Sequence, residues 1–342
     1  MPTGIHTEVP LAPMTTLGVG GSADYYGEAR TEEELRAFIE WAKQEGIPLT
    51  ILGGGSNVLV PDEGIRGLVL RPRFSEITCR EEGTYTLVTA GAGVVLDELV
   101  GMLVAQGLWG LENLSGIPGT VGGVPIQNVG AYGVEAKDVI VSVDVYDPLT
   151  SAMRTMSHDE CAFAYRDSYF KQGGKHLIIT SVTFRVSEEP LPKLGYKDLA
   201  ARFDREGTPT LAEIRDTVIE IRSRKFPDWR TIGTAGSFFK NPIIPTDHYE
   251  RLRTTYPELP GFPTEDGHVK VSLGWILDHV CGLRGYTEGA VGLYREQALV
   301  LVCERTARTQ EVIAFGDMVI GKVFDATGIR VEREVTMLAQ HA

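Results

Sequence analysis

Pro48-Leu-Thr-Ile-Leu-Gly-Gly-Gly-Ser-Asn57 runs a short apolar strand straight into three consecutive glycines. Residues without a Cβ let backbone N–H groups close around an anion that side chains would otherwise block, so Gly53, Gly54, Gly55, Ser56 and Asn57 read as a phosphate nest. An isolated glycine triplet is equally a tight turn. The balance shifts with a second segment, Gly116-Ile-Pro-Gly-Thr-Val-Gly-Gly123 followed by Asn128-Val-Gly-Ala-Tyr-Gly133, which sets a second backbone-lined cradle in the same half of the chain. Two cradles suit an extended pyrophosphate with a ring system attached. A branched Cβ at Gly54 or Gly122 is expected to occupy the space of a phosphate oxygen.

Outward from these segments the pattern is mixed α+β. Thr31-Glu-Glu-Glu34 is a capping box opening a helix to about Gln44, with Leu35, Phe38, Ile39 and Ala42 at helical spacing. Strands are expected near 68–70, 77–80 and 87–90, a helix over 95–105, a hairpin of 139–146 with 153–156 around Asp147-Pro148, and an alternating strand over 177–186. Ser187-Glu-Glu-Pro-Leu-Pro192 reads as a linker. Beyond it come a capped helix from Thr210 ending in Arg222, Arg224 and Lys225, helices over 273–280 and 310–324, a strand over 298–303 and a final strand over 329–338.

Composition narrows the chemistry. The 342 residues suggest about two domains, and 39 of them are glycine, well above the usual share of about 7%. A formal charge of −13 opposes a nucleic-acid or anionic-membrane partner, so any phosphate site must be local. The longest uncharged stretch, Asn113 to Val134, holds six Gly and two Pro and cannot be a membrane helix. Without a basic, then apolar, leader a cytoplasmic location is expected. Cys79, Cys161, Cys281 and Cys303 form no C-x-x-C pair, and the seven histidines show no zinc spacing, so no metal site is expected.

These motifs resemble the UDP-N-acetylenolpyruvoylglucosamine reductases of peptidoglycan synthesis. Thr15-Thr-Leu-Gly-Val-Gly-Gly21 is similar to the family's N-terminal motif, and the two glycine segments to its pyrophosphate and isoalloxazine segments. Tyr165-Arg-Asp-Ser168, Gly233-Thr-Ala-Gly-Ser-Phe-Phe-Lys-Asn-Pro242 and Glu332-Arg-Glu-Val335 resemble its three catalytic stretches. The resemblance implies a vanillyl-alcohol-oxidase-type FAD-binding fold over 1–190, a smaller α/β substrate-binding domain over 208–327, and a C-terminal strand over 328–342. It also implies a monomeric enzyme of cell-wall biogenesis, tied to cell shape and division. Non-covalent FAD would be held by Gly53, Gly54, Gly55, Ser56, Asn57, Gly119, Thr120, Gly122, Gly123 and Asn128. NADPH would be the hydride donor and UDP-N-acetylglucosamine enolpyruvate the acceptor.

Carried over residue by residue, the resemblance makes Arg166 the stabiliser of the enolate formed by hydride addition, because a guanidinium stays cationic and offers a fork of donors. Ser237 becomes the proton donor, and Glu334 the acid that orients or protonates the enolate. Alternation along 329–337 puts Glu332 and Glu334 on one polar face, so from the residues themselves Glu332 is a rival and a solvated surface the bland reading. Tyr196 matches the tyrosine that closes over the UDP diphosphate in long-loop members, and Lys225, Asn241 and Gln297 match other diphosphate and NADPH positions. Competing readings are another FAD-dependent oxidase of the same fold and a non-catalytic flavin or UDP-sugar sensor.

Overall fold

The structure is a computed structural model that describes residues 1–203, 207–264 and 266–338. The first body comprises β1 (Ile5–Pro10), β2 (Ser22–Ala29), α1 (Glu32–Gln44), β3 (Leu49–Ile51), β4 (Val58–Leu59) and β5 (Ile65–Pro72). Its sheet runs β1-β2-β5-β3, with β5 parallel to both neighbours. Thr31 Oγ1 accepts the Glu34 N–H at 3.2 Å, and α1 buries the four apolar residues its spacing marks against Leu68 and Leu70. β3 lies at the sheet edge, where the Gly53–Asn57 loop leaves the sheet.

The second body contains β6 (Ile77–Glu82), β7 (Tyr85–Gly91), α2 (Leu96–Ala105), the short hairpin β8 (Gly130–Ala131) and β9 (Val134–Glu135), β10 (Ile140–Asp147), β11 (Ala152–Ser157) and β12 (Ile178–Val186). The five long strands form an antiparallel sheet in the order β11-β10-β12-β7-β6. The uncharged stretch crosses its end in turns, fastened by the Val121 and Gly122 N–H groups on the Val94 and Ala92 carbonyls at 2.9 and 3.0 Å.

After the linker come α3 (Lys197–Arg202), α4 (Leu211–Lys225), β13 (Gly233–Ser237), β14 (Ile243–Pro245), α5 (Thr246–Thr255), β15 (Gly261–Pro263), β16 (His268–Val271) and α6 (Leu273–Trp275), which widens into a π turn over 276–280. β17 (Thr287–Glu288), β18 (Val291–Tyr294), β19 (Gln297–Cys303), α7 (Thr309–Thr327) and β20 (Thr336–Met337) follow. Sheets β13-β19-β18-β17 and β14-β16-β15 enclose a core with α7 that also takes in Leu17, Val19 and Leu59 of the first body. α4 belongs elsewhere: Leu211, Ile214 and Val218 bury against Trp109, Tyr132 and Leu199, and Arg215 pairs with Asp97 at 2.7 and 3.1 Å. By its packing this helix rides on the second body, although the sequence division at 208 groups it with the smaller domain.

The continuous strand expected over 329–338 is not one ladder. Ile329, Val331 and Val335 are buried, which produces the alternation, but the backbone changes partners along the way. The Lys240 N–H bonds Glu332 O and the Glu334 N–H bonds Phe238 O, whereas the Thr336 N–H bonds Asn57 O and β20 pairs in parallel with β4. This segment therefore straps the smaller domain to the first body beside the glycine loop. The last four residues of the 328–342 region lie outside the described residues. No described helix is long and apolar enough to cross a membrane, and no described group of three or more His, Cys, Asp or Glu is placed to hold a metal ion.

Candidate active site

The backbone N–H groups of residues 53–57 donate to no acceptor among the described residues, and neither do those of Gly119 and Thr120. Seven unpaired amides in two facing loops cannot be left dry and empty-handed, and they suit an anion. The two loops interlock through their missing side chains. A Cβ on Gly54 would sit 2.5 Å from Gly119 Cα, one on Gly119 2.7 Å from Ser56 Oγ, and one on Gly122 2.8 Å from Ala92 Cβ. At Gly54 and Gly122 the room is thus taken by protein, which corrects the expectation that it is kept for a phosphate oxygen. Gly123 differs: a Cβ there would meet nothing within 4 Å, and one on Gly53 only Thr120 Oγ1 at 3.5 Å. These two glycines face open space.

Asn57 ties three segments together, its Nδ2 donating to Gln127 Oε1 and, at 3.2 Å, to Glu334 O. Asn128 is fully buried at a φ of 44°; its Nδ2 donates to Glu135 Oε2 and Ala164 O at 3.0 Å each, and its Oδ1 accepts from Lys137 N at 2.9 Å. Its amide is committed to shaping the loop. Gln127 was not singled out by sequence; its only signal was its place between the two quoted halves of the uncharged stretch.

Beside the cradle stands a charged cluster. Arg166 Nε lies 3.0 Å from Glu334 Oε1, and Nη2 donates to Gly130 O at 2.7 Å on the β8–β9 hairpin. Both charged side chains are enclosed, Arg166 at 19% and Glu334 at 12% exposure. Glu332, the rival acid, is 74% exposed and pairs with Lys240 at 3.0 Å. Burial raises the Glu334 carboxyl above its ordinary value, although Arg166, Lys171 and Lys240 all favour its ionised form. Lys171 is lowered, first by burial and then by repulsion from Lys240. Tyr165, raised by burial, lies under the Lys270 ammonium at 4.8 Å from its ring centre.

Ser237 ends β13, directly after Gly236 at a φ of 72°. Because the Glu334 N–H bonds the next carbonyl, Phe238 O, at 2.9 Å, the serine and glutamate backbones run side by side. The serine is half-buried, and its hydroxyl holds no hydrogen bond within the described residues. The bland reading of a turn serine bonded to its own backbone is therefore not what is seen.

The remaining candidates form two further groups. Tyr196, 39% exposed, meets Tyr132 edge-on at 5.2 Å, with Lys225 Nζ 5.5 Å from its ring centre; Lys225 in turn bonds Asp198. Burial pushes the Tyr132 hydroxyl up to about 12. Asn241 Oδ1 accepts the Leu273 N–H at 3.0 Å at the start of α6, and Gln297 Oε1 lies beside Gly274, 3.0 Å from where a Cβ would be. The β8–β9 hairpin joins the groups, since Gly130 O holds Arg166 while Tyr132 carries Tyr196. Lys171, Lys240, Lys270 and Tyr165 were also missed as members of the cluster, although Tyr165 and Lys240 lie inside quoted motifs.

Two family descriptions match this chain: an FAD binding domain over residues 23–155 and the UDP-N-acetylenolpyruvoylglucosamine reductase C-terminal domain over residues 227–338. The UDP-N-acetylenolpyruvoylglucosamine reductase of Cupriavidus pinatubonensis is 41% identical over 334 residues, covering 97% of this chain and 99% of that protein. Its namesake from Pseudomonas aeruginosa is 38% identical, covering 95% of this chain and 96% of that protein. Among solved structures, the UDP-N-acetylenolpyruvylglucosamine reductase of Thermus caldophilus superposes with a TM-score of 0.69 at 27% identity, over 98% of this chain and 100% of that one.

Proposed function

The chain belongs to the UDP-N-acetylenolpyruvoylglucosamine reductase family, flavoenzymes with the vanillyl-alcohol-oxidase-type FAD-binding fold, and we propose that it reduces UDP-N-acetylglucosamine enolpyruvate to UDP-N-acetylmuramate with NADPH, in the cytoplasm, for peptidoglycan synthesis. The observation that carries this reading is the enclosed Arg166–Glu334 pair, 3.0 Å apart, set against the Ser237–Phe238 backbone and the amide-lined loops.

The loops fit FAD: unpaired amides at 53–57 and 119–120 would hold its pyrophosphate, with Gly53 and Gly123 leaving the space it needs. Bound without a covalent link, FAD would supply a two-electron relay from NADPH to the methylene carbon of the enolpyruvyl ether. Hydride addition there leaves a pair of electrons at the ether-bearing carbon, spread into the carboxylate. Arg166 stabilises that charge in an enclosed site, where a fixed guanidinium acts more strongly than in water. Ser237 Oγ gives its proton to the ether-bearing carbon. Glu334, whose raised carboxyl holds a proton more readily than an exposed glutamate does, orients the enolate and returns a proton to the site. Tyr196 and Lys225 take the diphosphate of the substrate, and Asn241 and Gln297 sit at the α6 end for the diphosphate and NADPH. The acceptor's anionic groups meet local cations on an otherwise acidic chain.

An anaerobic absorbance titration tests this. The purified protein is expected to carry flavin, bleach with NADPH and recover its colour on addition of the enolpyruvyl UDP-sugar. Flavin that NADPH does not bleach would favour a sensor, and oxygen uptake with a free sugar would favour an oxidase.

A further inference from the structure

Arg166 holds an unusual backbone for a residue with a long side chain. Its φ is 53°, in the left-handed region that glycine normally supplies. It is the third residue of a tight turn, closed by Ala164 N on Asp167 O at 3.0 Å and Asp167 N on Ala164 O at 3.2 Å. Left-handed backbone at such a residue persists only where the surroundings hold it.

One side chain among the described residues bonds the Arg166 backbone: Lys171 Nζ donates to Arg166 O at 3.1 Å. This ammonium is placed where charge is disfavoured, half-buried and next to Lys240. Its nearby acids are engaged elsewhere, Asp167 accepting from Gln172 Nε2 at 2.7 Å and from Ser168 N at 2.9 Å, Glu334 with Arg166 and Glu332 with Lys240. It does not sit there to complete an ion pair within 4 Å among the described residues. The turn that carries it is anchored, since Lys171 N bonds Ser168 O at 3.0 Å and Ser168 Oγ bonds Ile126 O at 2.6 Å in the glycine-rich segment.

We propose that Lys171 is a positioning residue, whose ammonium clamps the Arg166 carbonyl, holds the left-handed turn and so aims the guanidinium at Glu334 and the Gly130 carbonyl. The inference deepens the reductase reading and rests on it for its kinetic consequences. Lys171 acts through Arg166 and needs no contact with substrate.

The test uses the flavin-loaded full chain carrying Lys171→Met, Lys171→Arg, Arg166→Ala, or Lys171→Met with Arg166→Ala. Lys171→Met is expected to keep the flavin spectrum and the rate of reduction by NADPH, while reoxidation by the enolpyruvyl substrate slows by roughly a hundredfold, the usual consequence of misplacing a catalytic group by about 1 Å. Lys171→Arg, which can still donate to a carbonyl, is expected to restore most of that rate. On the Arg166→Ala background Lys171→Met should add almost nothing, because its target is gone. An equal slowing on both backgrounds, or a Lys171→Met rate within threefold of the parent, overturns the assignment. A crystal structure of Lys171→Met reads the same point without turnover. It should show Arg166 out of the left-handed region or off Glu334, and an unchanged Arg166 would overturn the proposal. A parent that neither bleaches with NADPH nor recovers with substrate would instead refute the function proposed above.

Discussion

The glycine cradle and the Arg166–Glu334 cluster lie side by side and are built on opposite principles. The cradle works by what is absent: Gly54 and Gly119 approach to where a single Cβ would stand 2.5 Å from the facing Cα, and the amides around them are left with no partner. The cluster works by what is present, with Arg166 and Lys171 from one segment meeting Lys240 and Glu334 from two others in an enclosed space, where the three cations favour the ionised form of Glu334 against its burial. The first is a local property of two short segments. The second exists only once the second body and the smaller domain are brought together. Damage to the cradle should therefore remove the cofactor, and damage to the cluster should leave the cofactor and remove a step.

The largest effect expected is at the cradle itself, where two glycines should fail in different ways. Gly54→Val drives branched carbons into the Gly119 backbone, so the loops must separate; the protein should be recovered colourless and with a lower melting temperature even before flavin is added. Gly123→Ala meets no protein atom within 4 Å, so apoprotein stability should match the parent while FAD is bound more weakly. Melting curves of the apoproteins and flavin titrations separate the two. Equal loss of apoprotein stability in both variants would break the distinction between packing glycines and ligand-facing ones.

Next in size is the proton donor. Ser237→Ala should retain flavin and accept hydride from NADPH at the parent rate, because neither event needs the hydroxyl. Reoxidation by the enolpyruvyl substrate should slow by roughly two to four orders of magnitude, the typical worth of a positioned acid. Ser237→Cys should keep more of the rate, since a thiol can also donate. An alanine variant within tenfold of the parent in stopped-flow reoxidation would remove Ser237 from the chemistry.

How far each region can be read without coordinates follows from the same contrast. The capping of α1 at Thr31 and the buried stripe of Leu35, Phe38, Ile39 and Ala42 are local patterns, and they appear in the fold as the spacing indicates, whereas Gly54 and Gly122 make room for protein and not for the phosphate expected there. Alternation over 329–337 puts Ile329, Val331, Val335 and Met337 on one apolar face; the first three are buried but Met337 is 39% exposed, and the ladder is misjudged, because a period of two gives a face and not the partner that covers it. For the same reason it puts Glu332 and Glu334 on one face and cannot say that one is 74% exposed and the other 12%. Arg166, Ser237 and Glu334 were reached through resemblance alone. Lys171 and Gln127 were missed, as their contacts, to Arg166 O and to Asn57, depend on turns whose shape no periodicity encodes.

A smaller effect is expected away from both regions. Tyr196→Phe keeps the edge-on contact with Tyr132 and loses only a hydroxyl. If that hydroxyl bonds a diphosphate oxygen, the Michaelis constant for the UDP substrate should rise about tenfold, the loss of one charge-assisted hydrogen bond, with the flavin spectrum unchanged. Loss of flavin in this variant would show that the α3–α4 region supports the cradle instead of the substrate.

The subtlest effect concerns how burial and charge divide Glu334, and it is read as a slope against pH. Burial is the first cause acting on this carboxyl and raises it above the ordinary value of 4.5, against the pull of Arg166, Lys171 and Lys240. A carboxyl that binds its proton more tightly in the folded than in the unfolded chain contributes fully below the unfolded value, and that contribution is lost as pH rises through the folded value. Glu334→Gln cannot ionise and has nothing to lose. It does leave the Arg166 guanidinium without its partner, but that cost does not change with pH, because a guanidinium stays charged throughout. The difference in melting temperature between parent and variant should therefore move in the variant's favour as pH rises above the ordinary carboxyl value of 4.5, whatever its starting sign. If the parent instead gains on the variant as pH rises, the three cations outweigh burial and Glu334 is ionised in the resting protein. It would then act by orienting the enolate and could not hold the proton that the chemistry requires.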